Sequence, residues 1–250
     1  MKFFIQLFFL LSFQFVHAQD ISGLLKEAAN YESTMNDEQA VSKYKEVLKI
    51  SPDNLVANCK ASELSSRIGA RYNDDKKKQA TFYTSAKTYA ETAFRLNQQS
   101  SEANFVMALM MGREAMERGG KEKISAVKNI KIYADRAIKA DPSNYKAWFI
   151  LGKWYYEVSS LNYFQKTAVK VFFGAFADAT VDDAIRCFEK SKALNPTFVL
   201  NYLSLAKAYE KKDNNDLAKQ NLSVMISLPD NTPDDQKIKS EGRELFRKLN

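Results

Sequence analysis

The chain has 250 residues, of which 45% are hydrophobic and 27% charged, with 37 basic residues against 30 acidic ones and a net charge of +7. That length buries the core of one or two domains, and 8 Gly with 5 Pro exclude collagen-like, linker-like and disordered chains. The single histidine, His17, lies in a segment expected to be removed, and Cys59 and Cys187 are the only cysteines. Ser-His-Asp triads, histidine bases and histidine metal sites are thereby excluded, and two thiols are too few for a structural zinc site. No catalytic residue, cofactor or metal is expected.

Met1 and Lys2 give a short positive start, Phe3 to Val16 is apolar apart from Gln6, Ser12 and Gln14, and Val16-His17-Ala18 precedes Gln19. This is the pattern of a secretory signal peptide over residues 1–18. The apolar stretch of about 14 residues falls short of the roughly 20 that span a membrane, although an uncleaved anchor is the alternative. Cleavage leaves 36 basic against 30 acidic residues, a charge of +6 without a long basic run. Nucleic acid is not an expected partner.

From residue 21 onward the chain repeats itself. KEVLKISPDN, TAFRLNQQSS, RAIKADPSN and KSKALNPTF each end a helical pattern, with anchors at Pro52, Gln98, Pro142 and Pro196 spaced 46, 44 and 54 residues apart. Proline fits just past a helix end because it cannot continue the hydrogen-bond ladder. Five helix pairs are expected, at about 21–54, 55–100, 101–144, 145–198 and 199–231. A terminal helix follows at 233–249, capped by Thr232 with Asp234 and Asp235 in its first turn. One domain, 19–250, holds them all. The fourth pair reads Trp148-x₂-Leu151-Gly152-x₂-Tyr155, with Ala184, Phe188 and Pro196 in its partner. That spacing resembles a tetratricopeptide repeat (TPR), and Gly152 lets the partner helix come close. Trp148 is expected to be buried between the paired helices. The second, third and fourth units exceed the 34-residue repeat by about 12, 10 and 20 residues, expected between paired helices. The fold class expected is all-α, a TPR-like helical-repeat solenoid.

Residues 148–174, WFILGKWYYEVSSLNYFQKTAVKVFFG, and the following DATVDDAIRCFEKSKALNP make a more specific match. Gly152-Lys153-Trp154, Tyr156, Val158, Leu161, Tyr163-Phe164, Phe173-Gly174, Ala179-Thr180 and Asp183-Ala184 resemble the regulator of microtubule dynamics family. The resemblance is close over about 148–210 and architectural over 21–147. It implies a helical-repeat protein without known catalysis, whose eukaryotic members are associated with microtubules and organelle contacts. A secretory signal points instead to a secreted form, in the periplasm or envelope of a bacterium.

Helical-repeat proteins bind on the concave surface lined by the first helix of each pair. Its expected positions include Glu63, Arg67, Phe105, Arg113, Phe149, Lys153, Tyr156 and Lys207. Arg113, Lys153 and Lys207 would offer three cations from successive units to an acidic or carboxylate-bearing peptide. The alternative is a solvated polar face. The insert at 161–176, with Phe164 and Phe172 among its aromatics, fits a groove plug, a docking helix, an interfacial membrane helix or an added core helix. Lysine runs at Lys76–Lys78 and Lys211-Lys212 read as solvated, as do Lys121, Lys123, Lys128 and Lys131, which would also suit an anionic membrane surface. Cys59 and Cys187 read as free buried thiols. The function expected is a non-enzymatic scaffold that binds a protein or peptide. The alternative is a membrane-peripheral or apolar-ligand carrier that uses the insert.

Overall fold

A computed structural model describes residues 21–162, 167, 170 and 179–249. Among these there are eleven helices and no strand. Helix α1 covers 21–33, followed by α2 (Asp37–Ile50), α3 (Leu55–Arg71), α4 (Lys76–Leu96), α5 (Ser101–Glu117) and α6 (Gly120–Ala140). Then come α7 (Tyr145–Ser159), α8 (Val181–Leu194), α9 (Val199–Glu210), α10 (Asn215–Ser227) and α11 (Asp235–Lys248). Five pairs and a terminal helix make the expected all-α, TPR-like architecture. The chain divides into two compact units, Met1–Asn97 and Gln98–Asn250.

The opening of each odd-numbered helix from α3 to α9 repeats one device. The fourth residue donates a hydrogen bond to the carbonyl of the anchor six residues earlier. Asn58 reaches Pro52 O at 3.0 Å, Asn104 reaches Gln98 O at 2.8 Å, Trp148 reaches Pro142 O at 2.9 Å and Tyr202 reaches Pro196 O at 3.0 Å. The anchor works through its carbonyl, which is why glutamine can stand at position 98. Trp148 is therefore half-buried, with its indole tied to the preceding turn, rather than buried between paired helices. Trp154 is the buried tryptophan, donating to Val127 O at 2.7 Å.

The eighth residue of every odd-numbered helix is small and buried: Ala28, Ser62, Ala108, Gly152, Ala206 and Gly242. Ser62 donates to Ala86 O of its partner helix at 2.8 Å. At Gly152 a Cβ would stand 2.7 Å from the Phe188 ring and 3.2 Å from Cys187 Cβ. The expected close approach of α7 and α8 is present.

In the first unit the core joins Ala28, Ala40, Val41, Tyr44, Val47, Ala61, Leu64 and Ile68. The second unit stacks α5 to α11 successively, with α7 also touching α5 and α9, and α9 touching α11. The extra length of the second and third pairs lies in the helices themselves: α3 and α5 have 17 residues, α4 and α6 have 21. In the fourth pair it falls between Ser159 and Val181, where Leu161 and Ala179 both pack on Trp154, beside Val127 and Ile130 of α6.

The terminal helix starts at Asp235, two residues later than Pro233, and Thr232 is not its cap. The buried Asp235 carboxylate instead accepts from Asn231 N at 2.8 Å, Thr232 N at 2.9 Å and Thr232 Oγ1 at 2.8 Å.

Candidate partner-binding site

Along α7 and onto its C-cap, Tyr145, Phe149, Lys153, Tyr156 and Ser160 follow one another at three- and four-residue steps and form one stripe. The stripe runs along α9 and changes character from end to end. At its start, the Phe198 ring stands edge-on to Tyr145 at 5.3 Å and to Phe149 at 5.0 Å, each at 71°. Phe149 also leans on Phe188 of α8 at 5.9 Å, so part of the ring is seated in the core. Phe198 takes the N-cap position of α9 and caps nothing with its side chain, whereas Asn144 caps α7 through Ala147 N at 3.1 Å. An aromatic residue there trades a cap for contact with α7.

At the other end two ammonium groups converge on Tyr156. Lys153 Nζ lies 5.8 Å from the ring centroid and Lys211 Nζ 5.1 Å from it, within cation–π range. Burial raises the Tyr156 phenol above its ordinary value, so the ring stays neutral. Lys153 is paired with Glu157 at 3.2 Å on its own helix, where both side chains remain well exposed. Lys211 donates to Ser160 Oγ and has no carboxylate partner among the described residues. Its charge is held between an aromatic face and a hydroxyl, neither of which neutralises it.

Of the sequence-nominated residues, Phe149, Lys153 and Tyr156 share this stripe. Lys207 points along α9 to the terminal helix and is ion-paired with Glu241. Arg113 is half-buried on α5 and engaged in contacts of its own. Phe105 is buried at 4% exposure, beneath Lys146 Nζ at 5.0 Å from its ring, and Lys146 lies 3.8 Å from Glu102. Phe164 and Phe172 lie outside the described residues.

In the first unit Arg67 is not a groove cation. Its guanidinium forks onto the fully buried Asp37 at 2.9 and 2.6 Å, and Arg71 binds the same carboxylate. A buried carboxylate requires such partners, so these charges are consumed in holding α2 on α3. Glu63 is likewise engaged. Lys211 is the residue that sequence reading missed, because a lysine pair at a helix end looks solvated. Nothing in the helical spacing marks it: Lys207, four residues earlier, turns to the terminal helix, while Lys211, at the C-cap of α9, turns to α7.

Cys59 and Cys187 are free and buried, and burial pushes the Cys187 thiol up to about 12. Among the described residues no cluster of three metal-ligating side chains occurs and no helix is long and apolar enough to cross a membrane.

The family profile for regulator of microtubule dynamics protein 1-3 matches residues 24–250. Regulator of microtubule dynamics protein 3 of Mus musculus is 28% identical over 166 residues, covering 66% of this chain and 35% of that protein. Regulator of microtubule dynamics protein 1 of Bos taurus is 29% identical over 160 residues, covering 64% of this chain and 50% of that protein. The chain thus spans about a third to a half of the curated relatives it matches. Among solved structures, a thermophilic TPR protein of Thermus thermophilus aligns with a TM-score of 0.63 at 12% identity, covering 91% of this chain and 99% of that one. Pseudomonas aeruginosa pilF aligns with a TM-score of 0.51 at 12% identity, covering 93% and 88%. These two likenesses establish the fold, and the profile match with the curated relatives establishes the lineage: the chain belongs to the regulator of microtubule dynamics protein 1-3 family.

Proposed function

We propose that this protein is a non-enzymatic scaffold whose second unit binds an acidic or carboxylate-bearing segment of a protein on the face shared by α7 and α9. A TPR-like fold supports a protein–protein interaction scaffold. The observation that carries the finer reading is the convergence of Lys153 and Lys211 on Tyr156, with Lys211 lacking an acidic partner among the described residues. A carboxylate entering there would take charge-assisted hydrogen bonds from Lys211 and exchange with the exposed Glu157 for Lys153. The first unit offers no such surplus at Arg67 and Arg71, which are committed to Asp37.

The reading extends to location. An exported chain cleaved after Ala18 would meet its partner outside the cytoplasm, in the envelope if the source is bacterial. The relatives' names concern microtubule dynamics. An exported chain would share their scaffold and not that partner.

The test is fluorescence anisotropy of labelled hexaglutamate and hexalysine with the chain from Gln19 onward. Hexaglutamate should bind at low salt and weaken as salt rises, and hexalysine should not bind. Loss of Lys153 and Lys211 together should cost about 1.5–3 kcal/mol per desolvated contact, or under about 1 kcal/mol per contact that stays exposed. Equal binding of both peptides would refute the reading.

A further inference from the structure

The two ends of the α7 stripe differ in chemistry and stand a fixed distance apart. Phe149 and Tyr156 are seven residues apart on one helix, which at 1.5 Å per residue is about 10 Å. An extended peptide advances about 3.3–3.6 Å per residue, so three residues cover that distance. We propose that the stripe reads two features of an extended peptide at once: a large apolar side chain against Tyr145, Phe149 and Phe198, and a carboxylate three residues further along, between Lys153 and Lys211. This rests on the acidic-peptide reading above and adds the residue that must accompany the charge.

Three observations support the apolar subsite. Tyr145, Phe149 and Phe198 are each half-buried, so every ring is anchored in the fold yet keeps part of its surface open. Their edge-on contacts at 5.0 and 5.3 Å hold them rigid, which lowers the ordering cost of binding. And α9 gives up a polar N-cap to place Phe198 there. The carboxylate subsite is built differently. Lys211 is fixed over Tyr156 by Ser160 and reaches across from the far end of α9, so the two subsites lie at opposite ends of the same pair of helices. Since α7 and α9 run side by side from the Phe198 contact to the Lys211 contact, the peptide lies along them.

The carboxylate can come from an acidic side chain or from a chain terminus, and the experiment separates the two. A Gly/Ser peptide carrying phenylalanine three residues before a final aspartate is compared with versions in which phenylalanine sits one or six residues before it, or is replaced by serine. Each is made as free acid and as amide. The spacing of three should bind at least about tenfold more tightly than the others, the equivalent of one well-placed contact. Tyr145→Ser should erase the preference for spacing while leaving the binding of hexaglutamate intact. Lys211→Ala should weaken all acidic peptides. Lys211→Ala should melt like the parent, and Tyr145→Ser, which removes a half-buried ring from its contact with Phe198, should melt lower but still cooperatively. If the amide matches the free acid, the side chain is the source; if it loses about tenfold, the terminus is. Acidic peptides that bind regardless of where phenylalanine sits would overturn this inference and leave the acidic-peptide reading standing. Failure of every acidic peptide to bind would overturn both.

Discussion

Gly152 is the position where the packing of the second unit can be tested most sharply. Adding one methyl group places a carbon 2.7 Å from Cδ1 and Cε1 of Phe188 and 3.2 Å from Cys187 Cβ. Phe188 is fully buried and wedged against Phe149 at 5.9 Å, so it has little room to retreat. Overpacking of this kind costs about 1–3 kcal/mol. Against it stands the helix propensity of alanine, which favours Gly→Ala in a helix interior by about 1 kcal/mol. The net for Gly152→Ala is therefore about 0–2 kcal/mol of destabilisation, and Gly152→Leu should cost more. Gly112 in α5 supplies the control: it is also helical, with nothing within 4 Å of its would-be Cβ, and Gly112→Ala should stabilise by up to about 1 kcal/mol. Both tryptophans, Trp148 and Trp154, lie in α7, so urea unfolding followed by tryptophan fluorescence reports the second unit. Phe188→Leu should cost less in the Gly152→Ala background than in the parent, because the shortened side chain relieves the contact. If Gly152→Ala stabilises as much as Gly112→Ala does, α7 and α8 are not in contact there and the assignment of the repeat is wrong.

Other outcomes follow from single contacts. Asp37→Ala should lower the stability of the first unit by about 3 kcal/mol or more, since it leaves Arg67 and Arg71 facing a buried void; denaturant unfolding followed by far-UV circular dichroism would show it. Trp148→Phe should cost about 1 kcal/mol for the lost bond to Pro142 O, in the same fluorescence assay with Trp154 as probe. Cys187 should resist iodoacetamide in the folded protein at mildly alkaline pH and react on unfolding, because burial pushes its thiol up to about 12. A group whose folded value is raised contributes stability below its unfolded value and loses it as pH rises. The Cys187 contribution should accordingly fall away between the ordinary thiol value of 9.0 and about 12, and Cys187→Ala should flatten that limb of the stability profile. Exported protein should begin at Gln19 by intact mass, and retention of residues 1–18 would contradict the signal-peptide reading.

The repeat was legible in the sequence because its parts are local. The anchors and the Gly152 approach follow from spacing within one helix pair, and the structure has the expected five pairs and terminal helix. The anchor bond itself was hidden, since asparagine, tryptophan and tyrosine make it in turn and no single residue type marks it. Partnerships across long separations were also hidden. Asp37 and Arg67 are 30 residues apart, and Lys207 and Glu241 are 34 apart, so neither pairing shows in a helical periodicity. The site was legible in part for the same reason. Lys153 and Tyr156 share a helix and a face, while Lys211 reaches Ser160 from 51 residues away, across the α7–α9 seam.

The central claim, that an acidic segment binds where Lys211 meets Tyr156, is tested most directly by reversing that one charge. Lys211→Glu should abolish hexaglutamate binding at low salt, leave the melting temperature within about a degree of the parent as expected for an exposed substitution, and create affinity for hexalysine. Undiminished hexaglutamate binding by the folded Lys211→Glu variant would contradict the account.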